Sequence, residues 1–146
     1  MTDIPYAIIY TDGACDPNPG PGGWAVLLRS GKTEKILTGS NPHTTNNQME
    51  LTAAIQAFQS LKFPCRVDFF TDSEYVRRGI TEWIPNWRVR NWRRKSGALA
   101  NVDLWQKLDA AIQPHQIKWH WVRGHTGNPD NQRVDELARR AFRHLK

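Results

Sequence analysis

The sequence is poor in cysteine: Cys15 and Cys65 are its two, far apart among 146 residues, with no CxxC pair and no Cys/His metal spacing. That excludes a disulfide framework or a zinc ribbon, and the expected setting is a reduced, cytoplasmic one. Long apolar runs are missing as well. The longest, Trp24 to Leu28, is far too short to span a bilayer as a helix, so no membrane association is expected. The opening Met1-Thr2-Asp3 has no basic segment ahead of an apolar stretch, so no cleaved secretory signal is expected. Repeats, low-complexity tracts and linker-like stretches are absent. With 39% apolar and 23% charged residues the composition is ordinary, which excludes disorder. At about 150 residues per domain, one domain over residues 1–146 is expected, as a monomer because no long apolar stretch calls for a partner.

Charge is what the chain has in excess, and the excess is local. The net charge is +6, with 20 basic and 14 acidic residues. Between Arg77 and Lys95 stand Arg77, Arg78, Arg88, Arg90, Arg93, Arg94 and Lys95 against a single acid, Glu82, so this segment carries the whole surplus. Trp83, Trp87 and Trp92 are threaded through it. Cations neutralise phosphates and release counterions, and rings pack against sugars or bases, so the combination points to nucleic acid. The plainer alternative has the tryptophans anchoring an amphipathic segment to the core while the arginines face water. Both hold here: the rings anchor and the cations bind.

Along the chain, Tyr6 to Thr11 reads as a strand closed by a turn at Asp12-Gly13. Asp16 to Gly23 reads as loop, and Trp24 to Leu28 with Lys35 to Thr38 as a hairpin around Ser30-Gly31-Lys32. Gly31-Lys32-Thr33 resembles the end of a phosphate-binding loop, but Val26 stands where that motif needs glycine. Leu51, Ile55, Phe58 and Leu61 recur at helical spacing, so a helix starts near Gln48. Arg66 to Thr71 is another strand, followed by a short helix through Tyr75 and Val76 that stops near Gly79. Asn101 is expected to cap a helix with Leu104, Trp105, Leu108 and Ile112 on its apolar face, ended by Pro114. Ile117, Trp119 and Trp121 alternate as a last strand. After a Gly124-His125-Thr126-Gly127 loop, Asn128-Pro129 opens a final helix with Val134, Leu137, Ala138 and Phe142 in one stripe. The order predicts an α/β fold, a mixed sheet with helices against it, strands after the first helix running parallel to the first strand.

Two carboxylates occupy equivalent places: Tyr10-Thr11-Asp12 and Phe70-Thr71-Asp72 each end a β-rich run. On parallel neighbours both would emerge at one end of the sheet, where ligands collect in open α/β folds. Glu50 falls in the first turn of the following helix and Asp135 near the start of the last. Converging carboxylates repel unless hard cations fill the gap, and oxygen-only ligation suits Mg²⁺ or Mn²⁺. Two such ions ~4 Å apart can drive phosphodiester cleavage. Taken singly, each acid is equally well a turn former or a helix-end residue favoured by the dipole. His125 is harder to dismiss, because such a loop needs no core imidazole and its near-neutral pKa suits proton transfer.

The motifs Thr11-Asp12-Gly13-Ala14-Cys15, Asn18-Pro19-Gly20-Pro21-Gly22-Gly23, Thr44-Thr45-Asn46-Asn47-Gln48-Met49-Glu50-Leu51, Thr71-Asp72-Ser73, Asn101-Val102-Asp103-Leu104-Trp105, Trp121-Val122-Arg123-Gly124-His125 and Asp135-Glu136-Leu137-Ala138 occur in this order. Together they resemble type 1 ribonuclease H in its cellular form with a basic protrusion, over essentially the whole chain. The resemblance implies a ribonuclease H-like five-stranded mixed sheet, three antiparallel strands and then parallel ones, flanked by helices. It implies Mg²⁺-dependent endonucleolytic cleavage of the RNA strand of RNA–DNA hybrids, leaving 5′-phosphate and 3′-hydroxyl ends, with two ions in the working site and Mn²⁺ as a substitute. Asp12, Glu50, Asp72 and Asp135 match the metal-binding carboxylates, and His125 the catalytic histidine. Cys15, Asn18, Asn46 and Gln48 fall where the family contacts the minor groove and 2′-hydroxyls, and Thr45 in its DNA-phosphate pocket. Trp83, Trp87, Arg88, Arg90, Trp92, Arg93, Arg94 and Lys95 match the protrusion that grips DNA. His43 and Gln48 stand where related enzymes often carry arginine, a role Arg78 can take over, and Ala100 stands where a basic residue often precedes Asn101.

Polar side chains reading 2′-hydroxyls beside the metals, with cations testing the DNA strand's shape, give hybrid selectivity without base preference. Two other readings compete: a non-catalytic duplex-binding module, and a DNA nuclease of the same fold such as an integrase or resolvase. Four carboxylates with His125 disfavour the first, and the hybrid-reading residues and protrusion the second.

Overall fold

The computed structural model describes residues 4–92, 101–123 and 127–145. Gly124, His125 and Thr126, and Arg93, Arg94, Lys95 and Ala100, lie outside the described residues.

Five strands form one mixed sheet: β1 (Tyr6–Cys15), β2 (Gly20–Ser30), β3 (Thr33–Thr44), β4 (Arg66–Thr71) and β5 (Gln116–Trp121), in the order β3-β2-β1-β4-β5. β1, β2 and β3 are antiparallel neighbours, while β4 runs parallel to β1 and β5 parallel to β4. The hairpin turns at Gly31, whose φ of +60° suits a residue without a side chain.

Helices cover both faces. On one side α1 (Asn46–Gln59) and α4 (Val102–Ile112) pack over a core of Ile9, Val26, Leu51, Phe58, Phe69 and the fully buried Trp105. On the other, α5 (Pro129–Ala141) lays Val134 and Ala138 against Tyr10, Ala25 and Leu27 of β1 and β2. The alternation along β1 produces this division: Ala7 and Ile9 point to the first core, Ile8 and Tyr10 to the second. Among the described residues no helix is long and apolar enough to cross a membrane.

Several boundaries differ from those expected. Asp12 does not close β1; the strand continues to Cys15, and Asp12 pairs with Ala25 inside it. β2 starts at Gly20, so half of the expected loop is strand. There Gly23 admits α5: a Cβ would lie 2.5 Å from the Ala138 carbonyl. β3 likewise runs on through the polar Asn41–Thr44. The helix after β4 does not stop at Gly79. It continues from α2 (Glu74–Arg78) through a π-helical turn, Gly79–Trp83, into α3 (Ile84–Val89). Gly79 is a packing residue and not a terminator, since a Cβ there would meet the Trp105 ring at 1.9 Å. Asn101 makes no side-chain cap and takes a left-handed conformation (φ 57°, ψ 30°). Asn128 does cap α5, accepting from Asp130 N and Asn131 N, with Pro129 at the first helical position.

Candidate active site

The paired register of β1 and β4 ends at Tyr10↔Phe70. Two residues on, Asp12 and Asp72 continue the alternation of Tyr10 and Phe70 onto the face that α5 covers. Glu50 arrives from α1, and the approach depends on Gly13: a Cβ there would stand 2.4 Å from the Glu50 backbone nitrogen. The same contact lets Gly13 N–H donate to Glu50 Oε1 at 2.5 Å. Asp12, Glu50 and Asp72 thereby bring one oxygen each within 4.8 Å of one another, with Asp12 and Glu50 buried.

Such a cluster is electrostatically unfavourable by itself. Burial first, then Glu50 and Asp72, with Asp135 adding, push the Asp12 carboxyl up to about 11. Burial and Asp72 push Glu50 up to about 7, against the opposing hydrogen bonds from Asp12, Gly13 and Ser73. Buried, mutually repelling carboxyls whose charged forms are disfavoured, on a donor set of oxygen alone, fit hard divalent cations. Asp135 is not one of the close three. From α5 it adds to the upward push on Asp12, and its carboxylate accepts from Arg139 Nη2 one turn later.

The helix-end alternative for the acids loses its footing. α1 begins at Asn46, so Glu50 is not in its first turn as expected, and Asp135 lies near the middle of α5. The first-turn acid of α5 is Asp130, whose two oxygens accept from Arg29 at 2.7 Å. One residue that sequence reasoning missed is Asn131, 4% exposed, whose Nδ2 donates to Asp72 Oδ2 at 3.4 Å. An asparagine two residues after Pro129 carries only the signal of a helix start.

The residues matched to substrate contact are tied to the loop after β1 and to the start of α1. Cys15 is buried, with Sγ 3.2 Å from the Pro17 carbonyl oxygen and 3.4 Å from those of Gly20 and Thr44. Burial pushes its thiol pKa up. Asn18 Oδ1 accepts from Asn46 N at 3.1 Å, bracing the loop against α1. Thr45 caps α1, its hydroxyl accepting from Gln48 N at 3.1 Å. Gln48 Nε2 donates to Asn101 Oδ1 at 3.2 Å, and Asn101 Nδ2 to the Tyr75 hydroxyl at 3.0 Å. Trp105 Nε1 donates to the same hydroxyl at 3.1 Å. The left-handed Asn101 thus joins the start of α1 to the tryptophan-rich segment.

That segment is anchored by its rings. Trp83 and Trp87 pack on Trp105 at centroid distances of 6.0 and 5.9 Å, and Trp92 packs on Trp87 at 5.7 Å. Its cations are partly matched within the chain. Arg77 pairs with Glu74, Arg78 pairs with Glu82 and lies 5.2 Å from the Trp83 ring centroid, and Arg88 pairs with Asp109 of α4. Arg90 is exposed.

Sheet order, helix placement and a carboxylate cluster drawn from β1, α1 and the residue just past β4 define the ribonuclease H-like class of α/β fold. A family model described as RNase H matches residues 5–143. A curated Ribonuclease H from Bradyrhizobium diazoefficiens is 57% identical over 140 residues, covering 95% of this chain and 91% of that protein. One from Nitrobacter hamburgensis is 56% identical over 137 residues, covering 93% and 91%. Among solved structures, LC9-RNase H1, "a type 1 RNase H with the type 2 active-site motif", is 34% identical with a TM-score of 0.89, covering all of this chain and 76% of that one. LC11-RNase H1, solved in complex with RNA/DNA hybrid, shares the fold at 23% identity and a TM-score of 0.72, covering 93% and 96%. The chain belongs to the RNase H family, in its type 1 cellular form, and is an enzyme, a nuclease of the hydrolase class.

Proposed function

We propose that this enzyme, as one domain and a monomer, hydrolyses the RNA strand of RNA–DNA hybrids by a two-metal-ion mechanism. The expected products carry 5′-phosphate and 3′-hydroxyl ends, with little dependence on base sequence. The carrying observation is the convergence of Asp12, Glu50 and Asp72 within 4.8 Å, two of them buried. LC11-RNase H1, which shares the fold, is solved with the same class of substrate.

Asp12, Glu50, Asp72 and Asp135 would hold two divalent cations, Mg²⁺ or, as a substitute, Mn²⁺. Bound there, the ions supply Lewis-acid charge and an activated water for phosphodiester hydrolysis. Gly13 N–H and Asn131 Nδ2 keep two of the carboxylates aimed at the pocket. His125 moves the proton that the leaving oxygen needs. Cys15, Asn18, Asn46 and Gln48 line the approach on the RNA side, where 2′-hydroxyls distinguish RNA from DNA. Thr45 receives a DNA phosphate, and Arg78, Trp83, Trp87, Arg88, Arg90, Trp92, Arg93, Arg94 and Lys95 hold the DNA strand. Both cysteines are free and buried, which suits the reducing cytoplasm as the working compartment.

The test is cleavage of end-labelled RNA–DNA, DNA–DNA and RNA–RNA duplexes with Mg²⁺ or with EDTA. Cleavage confined to the RNA of the hybrid and abolished by EDTA is expected. Equal cutting of DNA–DNA, or activity that survives EDTA, overturns the reading.

A further inference from the structure

Two cavities meet along the last turns of α5. One, of about 460 Å³, is lined by Asp135, Glu136, Arg139 and Arg143. The other, of about 300 Å³, is lined by Arg139 and Arg143 again, by Phe142, and by Cys15, Asp16 and Asn46 opposite. The two arginines border both, so a recess joins Asp135 at one end to Cys15 and Asn46 at the other. Their spacing is regular. Arg139 pairs with Asp135 one turn before it, and Arg143 follows four residues later in the 3₁₀ turn Arg143–Leu145. Phe142, 3% exposed, pins that turn, and its carbonyl accepts from Leu145 N at 2.9 Å. A turn of α-helix rises about 5.4 Å, close to the separation of neighbouring phosphates along a nucleic-acid strand. Helix-end electrostatics explains only part of this. The dipole favours cations in a last turn, which covers Arg139 and Arg140, and Arg140 is spent on Glu136. Arg143 lies past the helix, is exposed, and among the described residues forms no ion pair. In the smaller cavity the one acid among the described residues is Asp16, against two guanidinium groups.

We propose that Arg143, seconded by Arg139, binds a backbone phosphate of the RNA strand near the bond that is cut, which makes this end of α5 a track for that strand. The inference rests on the proposed function, which puts Cys15 and Asn46 on the RNA side. There the RNA strand meets Cys15, Asn18, Asn46 and Gln48, all neutral, while every cation is assigned to DNA. Arg143 supplies the charge that the RNA side lacks. A guanidinium fork matches a phosphate bidentately. Arg139 spends Nη2 on Asp135 and keeps other N–H donors for the same strand. Contacts of this kind position a backbone without reading bases, in keeping with cleavage that ignores base sequence.

Wild type, Arg143→Gln and Arg143→Lys are compared in cleavage of one RNA–DNA hybrid across a salt series, and each protein is melted. Arg143→Gln is expected to raise KM about fivefold and to lower the slope of log affinity against log salt by about one. Its kcat and melting point should stay near those of wild type, since neither the carboxylates nor a described ion pair is touched. Arg143→Lys keeps the charge and is expected to restore the slope. The strand is identified on a duplex in which a short central run of ribonucleotides confines cleavage. Its flanking linkages, in the cleaved strand or in the complement, are replaced one at a time by an uncharged methylphosphonate. Wild type should lose affinity at one linkage of the cleaved strand, and Arg143→Gln should be insensitive at that same linkage. An unaltered KM and slope in Arg143→Gln, whatever its melting point, overturns the proposal. So does insensitivity that appears in the complement, which assigns the cavity to the DNA strand, and so does a slope that lysine fails to restore. A wild type that cuts no hybrid is a separate result, which removes the proposed function itself.

Discussion

Asp12 is 5% exposed and faces Glu50, Asp72 and Asp135, so the metal-free fold must either protonate it or endure the repulsion. An amide of the same shape escapes both costs. Asp12→Asn is therefore expected to raise the melting point in EDTA by several degrees, at about 2–4 °C per kcal/mol for a domain of this size. It should also abolish cleavage and blunt the stabilisation that Mg²⁺ gives the wild type, a trade of function for stability. Calorimetry with and without Mg²⁺ reads both effects, and a lower melt in EDTA would contradict the close packing of the acids. How far these residues could be read beforehand follows from their local signals. Asp12 and Asp72 were readable because two β-rich runs end in the same Thr-Asp pair. Glu50 looked like a first-turn acid because α1 starts at Asn46, earlier than the periodicity suggested, whereas α5 starts where expected and Asp135 lies at its middle, beyond the first turn. Asn131 had no signal at all, since burial and a bond to Asp72 are properties of the packed chain.

At the scale of elements, glycine misled where it served packing. Gly79 has ordinary helical angles (φ −62°, ψ −45°), so Ala there would gain roughly 1 kcal/mol of helix propensity. The added carbon would meet Trp105, which is fully buried, bonded to Tyr75 and packed by Trp83 and Trp87, and cannot yield cheaply. Overpacking costs about 1–3 kcal/mol or more, so Gly79→Ala is expected to lower the melting point by several degrees. An unchanged or higher melt in thermal denaturation would mean the indole can move. α5 offers a second element-level prediction, because Arg29 of β2 grips its first turn through Asp130. That guanidinium, with Arg133 adding, holds the Asp130 carboxyl below the usual range. A carboxylate with its folded pKa depressed contributes stability above the ordinary value near 4 and loses it as pH falls through the folded value. The melting gap between wild type and Asp130→Asn should thus be steady from pH 6 to 8, near 1 kcal/mol for so exposed a pair, and close below pH 4. A gap independent of pH would remove the ion pair from the account.

Over the whole molecule, charge and chemistry are laid out apart. The clustered acids come from β1, α1 and the residue just past β4, while the basic surplus of the sequence falls on the helical segment that follows β4 and the residues after it. Within that segment the described arginines are not equivalent. Arg88 is committed to Asp109 and thereby ties α3 to α4, and Arg77 and Arg78 each have an acid one turn away. Composition alone could reveal the surplus but not this internal matching, which depends on where α4 lies. Among the described arginines of the segment Arg90 is exposed and forms no ion pair with a described residue, while Arg93, Arg94 and Lys95 lie outside the described residues. Neutralising those last three together is expected to raise the Michaelis constant and leave turnover largely intact, because no group at the carboxylate cluster is touched. The decisive reading is the salt dependence. Each phosphate contact contributes about 0.9 to the slope of log affinity against log salt on a duplex, so losing three should flatten it by roughly 2–3. Arg88→Gln breaks the α3–α4 tie to Asp109, so it is expected to lower the melting point in thermal denaturation. A triple variant with an unaltered slope would show that the run does not touch phosphate and that the tryptophans hold the segment for some other purpose.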